Sequence, residues 1–463
     1  MATTTPATTT NGRQTLQNEA LEAFRTDFSG PVITPSDSEY DAARSVWNGM
    51  IDRRPALVVR CTGVADVAAA VKFARSEGLQ IAVRGGAHSA AGHGTSDGGI
   101  VIDLSRMKGV RVDPRRRTAH AQAGLLWSEL DRETQAYGLA TTGGTVSNTG
   151  ISGLTLGGGL GWLMGKHGLT CDNVVSFDLV TASGEIITAS EDQHPDLFWA
   201  LRGGGGNFGV VTSFEYRLHP VAQVWGGMIM HPMSEATKVL RFYRELTQDH
   251  DDDLEFYAGL MSAPDGTPVV SILAGYNGPA EKGEKALSDV KKFGSPVADM
   301  IGPMSYNARQ HMLGASAVHG LRRYWKSGFV DELSDSLIDL LVTRANQWIS
   351  PMSTIVLFNM HGAAERVGPQ ETAFGLRGHM WDVDIISQWA DPADDARQVS
   401  WERDAWNEIE PFAGKAIYVN HIAGDEPDRV ESAFGPNFAR LQQVKSKYDP
   451  DNLFRLNHNI PPA

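Results

Sequence analysis

Apolar residues follow two different periods in the first part of the chain. The runs ALVVR and LQIAVR are short and continuous, which is typical of buried strands. Between them, VADVAAAVKFARSEG carries apolar residues at helical spacing and ends in a glycine: Val64, Val67, Val71, Ala74 and Gly78. Together the three segments predict a strand–helix–strand unit whose second strand leads into the glycine-rich loop RGGAHSAAGHG.

A second pattern begins near Val221, where glycine becomes less frequent and longer alternating runs appear. VWGGMIMHPM, DLEFYAGLM, PVVSILAGY, MSTIVLFNMHG and HMWDVDIISQW predict strands, and Asp265-Gly266 predicts a hairpin turn between the second and the third. Helical patterns, among them PAEKGEKALSDVKKFG, separate the strands. The order predicts an antiparallel sheet with helices on one face, and the fold class is therefore α+β.

Three glycine-rich segments lie in the first half of the chain: RGGAHSAAGHG, SGLTLGGGLG and RGGGGNFG. None fits the dinucleotide fingerprint, in which G-x-G-x-x-G opens a helix directly after a strand, and no P-loop is present. Each alone is compatible with an ordinary tight loop, but three within roughly 125 residues favour one extended ligand that the backbone approaches closely. The stretch 140–174, rich in Gly, Thr and Ser, is predicted to be mostly extended loop.

Charge and composition exclude several classes of function. A net charge of −14 over 463 residues repels phosphate backbones and anionic lipid surfaces, so neither nucleic acid nor a membrane is an expected partner. The N-terminal MATTTPATTTNGR lacks the basic and apolar regions of a signal peptide, which predicts a cytoplasmic protein with a disordered or extended tail at 1–36. With two cysteines, a disulfide framework and a thiolate zinc site are excluded.

His88 lies in the middle of the first glycine-rich segment, where a phosphate-binding loop has no use for an imidazole. It is compatible with a structural histidine, with a metal site shared with His93, or with a nucleophile toward the ligand of the loop. No matched carboxylate or third histidine accompanies the pair, so His93 is predicted to be an ordinary loop histidine. Cys171 is either a buried small residue or a thiolate in a polar loop, and Cys61 is predicted to be structural.

Taken together, these segments resemble the berberine bridge enzyme-like family of FAD-linked oxidoreductases, within the vanillyl-alcohol oxidase superfamily. RGGAHS is similar to the histidine loop of the family, and LGGGLGWLMGKHGLTCDNV to the second flavin loop of its cysteine-bearing subgroup. DLFWALRGGGGNFGVVTSFEYRLHPV is similar to the segment that closes the flavin domain. YVNH resembles its catalytic strand and KSKYDPDNLFRLNHNI its C-terminal signature. The order agrees from about Tyr40 to Ile460.

The resemblance implies an FAD cofactor that is bonded to the chain twice. It assigns an 8α-N-histidyl bond to His88 and a 6-S-cysteinyl bond to Cys171, and His88 is the expected site where only one bond forms. Imidazole and thiolate are suitable nucleophiles for such bonds. The further flavin contacts that it implies are Arg84, Gly85, Gly86, Ser89, Gly92, Thr142, Gly143, Gly153, Gly158, Asn207, Gly209, Val211, Asn457 and Asn459.

On the substrate side, the resemblance implies a base at Tyr418 on a strand AIYVNHI, with Asn420 on the same face by alternation. A tyrosine base needs neighbours that lower its phenol pKa, and the sequence names none. Asp382 and Asp384 alternate on MWDVDI and are candidates to face the substrate or the base, and His361 is a further candidate. Ala90 stands where some sugar-oxidising members carry an aromatic residue, which favours a flatter or bulkier substrate.

The resulting expectation is a PCMH-type FAD-binding domain at 37–220, completed by 426–463, with an inserted substrate domain at 221–425, in a monomer or homodimer. The expected reaction removes a hydride from a C–H bond next to O or N of a small alcohol, sugar, alkaloid or other secondary metabolite. O₂ is the expected electron acceptor and H₂O₂ the product. A flavin dehydrogenase with another acceptor, a non-catalytic flavin carrier and an NAD(P)H-dependent reductase are the alternatives.

Overall fold

The computed structural model describes residues 18–414 and 416–463. Of the tail predicted at 1–36, residues 1–17 lie outside the described residues. The rest is neither disordered nor merely extended, because it forms helix α1 (Asn18–Asp27) and strand β1 (Val32–Ile33). Phe24 and Phe28 of this segment are buried, and Phe24 stacks on Phe73 at a ring distance of 4.4 Å. Burial of these aromatic rings holds the segment on the core.

A four-stranded sheet contains the predicted strand–helix–strand unit. Its strands run in the spatial order β1-β2-β4-β3, with β1 antiparallel and the others parallel. The elements are β2 (Leu57–Arg60), β3 (Ile81–Arg84) and β4 (Ile100–Asp103), with helices α2 (Tyr40–Arg44) and α3 (Val64–Ser76). β3 lies at the edge of the sheet, and its end leads into the loop that carries His88.

A five-stranded antiparallel sheet lies beside the first, in the order β5-β6-β10-β8-β9. The sequence VVSFDLVTASGEIITAS predicts a hairpin with its turn at Ser183-Gly184, and the structure confirms it, with Gly184 at φ 79°. The elements here are β5 (Val110–Asp113), β6 (Thr118–Gln122), α4 (Trp127–Gln135), β8 (Val174–Val180), β9 (Ile186–Ser190), α7 (Pro195–Leu201) and β10 (Val210–Arg217); a separate pair joins β7 (Leu139–Ala140) to β11 (His219–Pro220).

Most of the stretch 140–174 is loop, as the sequence predicts, but it also contains short helices that the sequence did not predict. It forms α5 (Ile151–Leu156), α6 (Met164–His167) and a 3₁₀ turn at Thr170–Asn173. Buried apolar side chains such as Ile151 and Met164 anchor these short helices in the core. The glycines instead serve close approach, since a Cβ on Gly161 would lie only 1.7 Å from the carbonyl oxygen of Gly143.

The second half of the chain forms the predicted antiparallel sheet with helices on one face. The strands follow the order β15-β12-β14-β13-β18-β19-β17, and β16 also pairs with β12. They are β12 (Gln223–Pro232), β13 (Leu254–Ser262), β14 (Pro268–Tyr276), β15 (Ala298–Asp299), β16 (Gly302–Ser305), β17 (Arg322–Val330), β18 (Thr354–Met360) and β19 (Met380–Trp389).

The helices that cover this large sheet pack through a continuous apolar core. They are α8 (Ala236–Gln248), α9 (Gly283–Ala286), α10 (Ser288–Lys292), α12 (Asp335–Ala345) and α14 (Asp395–Ile409). Two further short helices do not belong to this core: α11 (Tyr306–His311) packs against α4, and α13 (Gly362–Arg366) packs against α6. The helix expected for PAEKGEKALSDVKKFG is divided at Leu287 into α9 and α10. Among the described residues, no helix has the length and apolar content needed to cross a bilayer.

After α14 the chain returns to the N-terminal half through α15 (Val430–Phe434) and α16 (Phe438–Tyr448). Phe434, Phe454 and Ile460 join the same apolar cluster as β2 and β4. AIYVNHI is not a strand, contrary to the sequence prediction. Residues Val419–His421 form a 3₁₀ turn, in which the amide of His421 donates to the carbonyl oxygen of Tyr418 at 2.9 Å.

Candidate active site

A cavity of about 430 Å³ lies between the glycine-rich loops and the uncovered face of the large sheet. All three glycine-rich segments contribute to its wall, and so does the C-terminal segment. The sequence-predicted residues that line it are Arg84, Gly85, Gly86, His88, Ser89, Gly153, Asn207, Gly209, Val211, Tyr418, Asn420 and Asn457. The fold thus brings segments more than 300 residues apart in the chain to one site.

The opposite wall is the face of the large sheet that its helices leave free. It is mainly apolar and is lined by Tyr257, Gly259, Met261, Leu273, Val356, Phe358 and Ile386, with Trp325, Thr354 and Gln388 as polar members. A wall of this composition suits a flat, largely apolar molecule.

Several predicted site residues do not line the cavity. Gly92, Thr142, Gly143, Gly158 and Asn459 are not part of its lining, which does include their chain neighbours Gly144, Thr145, Val146 and His458. His361 is buried under α13, with its Nε2 3.0 Å from the carbonyl oxygen of Leu254. The guanidinium of Arg84 donates hydrogen bonds to the carbonyl oxygens of Ala43, Arg44 and Gly94, so this side chain anchors the loop.

The backbone around His88 is tightly constrained. Ala87 has φ 59°, a left-handed conformation that costs a non-glycine residue of the order of 1 kcal/mol. Two neighbours hold it there: the amide of Trp47 donates to the Ala87 carbonyl oxygen at 3.1 Å, and Gly86 packs directly on Gly150. Strain that persists next to a cavity-lining histidine is typical of a functional loop.

The imidazole of His88 lies parallel to the indole of Trp47, with ring centres 4.8 Å apart and planes 20° apart. Burial, together with the positive charges of Arg323 and His319, lowers the pKa of His88 to about 4. The ring is therefore neutral at physiological pH. A neutral imidazole at the cavity wall retains the lone pair that a nucleophile needs.

Cys171, the predicted second attachment site, is not among the residues that line the cavity. It is fully buried in an apolar cluster with Trp162, Met164 and Tyr418. Burial, and to a lesser degree the carboxylate of Asp172, raises the pKa of its thiol, so the thiolate is disfavoured. The structure therefore offers no geometric support for a bond from Cys171 to a ligand in the cavity.

The Tyr418 hydroxyl accepts two hydrogen bonds, from the amide of Gly159 at 3.0 Å and from Nδ2 of Asn420 at 2.8 Å. Asn420 can approach because residue 157 is glycine, where a Cβ would lie 2.3 Å from Oδ1 of Asn420. Both hydrogen bonds lower the pKa of Tyr418, but burial outweighs them and raises it. With both acceptor positions used, the hydroxyl proton is free for a ligand.

His421 is a site residue that the sequence analysis missed. Its Nδ1 lies 3.1 Å from Asp382 and 3.0 Å from Asp384, both fully buried. Its ring stacks on Trp325, meets Tyr418 edge-on, and lines the cavity with 14% of the side chain exposed. The carboxylates outweigh burial and raise the pKa of His421 to about 10, so an imidazolium faces the cavity.

Asp382 and Asp384 therefore lie on the cavity side of the sheet, which agrees with their prediction as candidates to face the substrate or the base. His421 lies between them and the cavity. Burial, followed by the charge of Asp384, raises the pKa of Asp382 to about 6. Two signals for this cluster are present in the sequence: the alternating aspartates of MWDVDI, and a histidine three residues after Tyr418 in YVNH. That these two segments meet could not be read from either of them alone.

Comparison with known proteins agrees with this geometry. A family model described as an FAD binding domain matches residues 55–190, and one described as berberine and berberine like matches residues 417–461. An FAD-linked oxidoreductase of Dictyostelium discoideum is 31% identical over 447 residues, covering 96% of this chain and 97% of its own.

The chain is an FAD-linked oxidoreductase of the berberine bridge enzyme-like family.

Two further relatives extend the comparison. The (R)-6-hydroxynicotine oxidase of Paenarthrobacter nicotinovorans is 30% identical to this oxidoreductase. The alignment covers 94% of the present chain and 97% of the nicotine oxidase. The crystal structure of 6-hydroxy-D-nicotine oxidase from Arthrobacter nicotinovorans superposes with a TM-score of 0.85 at 29% identity, covering 94% and 98% of the two chains. Physcomitrella patens BBE-like 1 shares the fold, with a TM-score of 0.85 at 24% identity.

The residues of this oxidoreductase fit an FAD cofactor. Glycine backbone lines one side of the cavity, where amides can approach a pyrophosphate. Both ring nitrogens of His93 and Oδ1 of Asn457 are buried at this wall without a hydrogen-bond partner among the described residues. His93, which the sequence predicts to be an ordinary loop histidine, thus lines the cavity as well. Unpaired buried polar atoms of this kind are expected where a polar ligand completes the site.

Proposed function

We propose that this enzyme is an oxidase that takes a hydride from a C–H bond next to O or N of a small organic substrate. Bound FAD supplies the hydride acceptor, and O₂ returns the flavin to its oxidised form with release of H₂O₂. The observation that carries the proposal is the convergence of His88, Tyr418 and the imidazolium of His421 on one cavity. The apolar sheet wall favours a flat ring-containing substrate over an oligosaccharide.

The enzyme binds FAD through a single covalent bond, to a ring nitrogen of His88. His88 is neutral and lines the cavity, whereas the thiol of Cys171 is protonated and lies outside it. The chain segment before α5 contributes Gly144, Thr145 and Val146 to the cavity wall, and none of these residues has a thiol that could bond to the flavin. The proposal therefore keeps the histidyl bond that the sequence predicts and omits the cysteinyl bond.

Tyr418 is the group that accepts the proton from the oxygen or nitrogen of the substrate. Its hydroxyl oxygen is held by Gly159 and Asn420, and the imidazolium of His421 lies at its ring edge. The two hydrogen bonds favour the phenolate against the opposing effect of burial. Asp382 and Asp384 act through His421, which they hold in place and in its charged form.

The same geometry supports the predicted division of the chain. We place an FAD-binding unit at 37–220 and 426–463, and a substrate-binding unit at 221–425, because the cavity has loops of the first and the sheet of the second as its two walls. Tyr418 and His421 lie in the segment that leads back from the second unit to the first.

Covalent attachment is tested by acid precipitation of the purified protein. The pellet of the wild type is expected to be yellow and to carry one flavin on the peptide with His88. The His88→Ala pellet is expected to be colourless, while Cys171→Ala matches the wild type. A colourless wild-type pellet, or flavin mass on the Cys171 peptide, would contradict the single histidyl bond.

Oxidase activity is tested by anaerobic mixing with a panel of secondary amines and alcohols, followed by air. A substrate is expected to bleach the flavin, and air is expected to restore its colour with one H₂O₂ per turnover. A reduced flavin that persists for minutes in air would instead show a dehydrogenase. Bleaching by NADPH but by none of the panel would show a reductase, and no bleaching by either would indicate a flavin carrier.

A further inference from the structure

Trp47 connects His88 to a buried arginine on the large sheet. One contact of its indole is the parallel ring of His88, with ring centres 4.8 Å apart. The other is the guanidinium carbon of Arg323, which lies 3.6 Å from the centre of the Trp47 ring. The indole Nε1 donates to the carbonyl oxygen of Ala317 at 3.1 Å, which sets the rotation of the ring. Trp47 and Arg323 are 276 residues apart in the chain.

Arg323 is buried without an anionic partner. No carboxylate in the described part of the chain forms an ion pair with it. Its donors go to neutral oxygens: Oε1 of Gln388 at 2.9 Å and the carbonyl oxygens of Trp47, Leu321 and Val318. Burying an unpaired charge is unfavourable, so a purely structural role would favour a neutral residue. Burial lowers the pKa of Arg323 only to about 10, and the charge is retained.

Asn48 ties the same unit to the other side of the His88 loop. Its Nδ2 donates to the carbonyl oxygens of Ala90 at 2.9 Å and Arg323 at 3.0 Å, and its Oδ1 accepts from the amide of Arg323 at 3.0 Å. On the near side, the amide of Trp47 holds Ala87. The backbone on both sides of His88 is therefore fastened to β17.

We propose that Trp47 and Arg323 are positioning residues for covalent attachment of the flavin: they orient the ring of His88 and keep its lone pair free. This inference rests on the histidyl bond proposed above. In that step a ring nitrogen bonds to the methyl carbon of the flavin, one methyl C–H bond breaks, and the imidazole N–H proton is lost. The two electrons and two protons reduce the flavin, and O₂ then takes them as H₂O₂.

The roles of the two residues differ. The indole face restricts the imidazole to one plane, which places the attacking nitrogen. The guanidinium supplies a fixed positive charge that opposes protonation of the imidazole, in agreement with the lowered pKa of His88.

The first test compares Trp47→Leu with Trp47→Phe, both purified with excess FAD. The readout is the fraction of bound flavin that stays with the acid-precipitated chain, followed over time. Trp47→Leu should bind FAD but attach it about a hundredfold more slowly, the scale on which misplaced reacting atoms slow a step. Trp47→Phe keeps a ring and should attach most of its flavin. Wild type and His88→Ala define full and zero attachment.

Attachment by Trp47→Leu at the wild-type rate would overturn the role of the ring. So would a loss that only follows the loss of total bound FAD, because that would indicate a structural effect. A colourless wild-type pellet would refute the histidyl bond itself, and the two failures are thus distinguishable.

A second pair of variants tests the role of the positive charge of Arg323. This pair also keeps the proposal testable if Trp47→Leu does not fold. Arg323→Met should retain bound FAD and slow its attachment, and Arg323→Lys should restore at least half of the covalent fraction. Equal attachment by wild type and Arg323→Met, or equal defects in the Met and Lys variants, would overturn the role of the charge.

Discussion

At the residue scale, the environment of Tyr418 combines opposing effects on one hydroxyl. Hydrogen bonds from Gly159 and Asn420 favour the phenolate, and burial disfavours it more strongly. The resulting pKa lies above the ordinary value, so the phenolate fraction at neutral pH is small and grows tenfold per pH unit. A proton acceptor of this kind gives an enzyme whose activity increases toward alkaline pH.

Tyr418→Phe should therefore lower kcat/KM by about a hundredfold to ten-thousandfold, and it should remove the alkaline rise. The measurement is the pH profile of kcat/KM from pH 6 to 10, with a substrate found in the amine and alcohol panel.

Tyr243→Phe is the matched control. Tyr243 is equally buried and burial raises its pKa, but its hydroxyl donates to the backbone of Phe256 and Leu357, on the helix side of the sheet. This variant should lose about 1 kcal/mol of stability and keep the wild-type profile. A Tyr418→Phe profile that still rises like the wild type would exclude Tyr418 as the base.

At the scale of elements, the first loop and helix α5 meet through two glycines. A Cβ on Gly150 would lie 2.3 Å from the amide nitrogen of Gly86, and a Cβ on Gly86 would lie equally close to Gly150. Real Cβ atoms do not approach backbone so closely, so either substitution must push the loop and the helix apart. Since both elements line the cavity, the cofactor would lose two of its contacts together.

Gly150→Ala should consequently fold and retain much less flavin than the wild type. The ratio of flavin to protein absorbance after gel filtration measures the effect. Gly63→Ala is the control, because a Cβ there meets no atom within 4 Å and Gly63 lies outside the cavity. Full flavin content in Gly150→Ala would show that the two elements separate without harm to the site.

At the scale of the whole molecule, the cavity is closed by two parts of the chain with separate apolar cores. One wall comes from loops around the two smaller sheets, and the other from the uncovered face of the large sheet. A cofactor between them contacts both, and a ligand that binds only the folded state raises its stability by mass action.

The thermal midpoint of His88→Ala should therefore rise with added FAD, while that of the wild type should not. At a free concentration a hundredfold above Kd, the expected stabilisation is about 2.7 kcal/mol. Differential scanning fluorimetry between 1 and 100 times Kd provides the measurement. If the thermal midpoint of His88→Ala does not change with the FAD concentration, the cofactor contributes nothing to the stability of the folded chain.

Local pattern was sufficient for much of the fold. The strand–helix–strand unit before His88, the hairpin at Gly184 and the antiparallel sheet with helices on one face all follow from periodicity and turn residues. It failed where short helices depend on a few buried side chains, as in 140–174. β17 was missed because it buries Arg323 and Lys326, and buried charges contradict the apolar alternation by which strands are predicted.

The sequence by itself determined the glycine-rich loops, the placement of His88 after β3, and the membership in a flavin-linked family. Only the tertiary structure decided that Cys171 is enclosed in the core, that His421 lies between Asp382 and Asp384, and that Arg323 lies over Trp47. The physical reason is separation along the chain. A period shows which side of its own element a residue faces, whereas the packing of one sheet against another decides what it meets there.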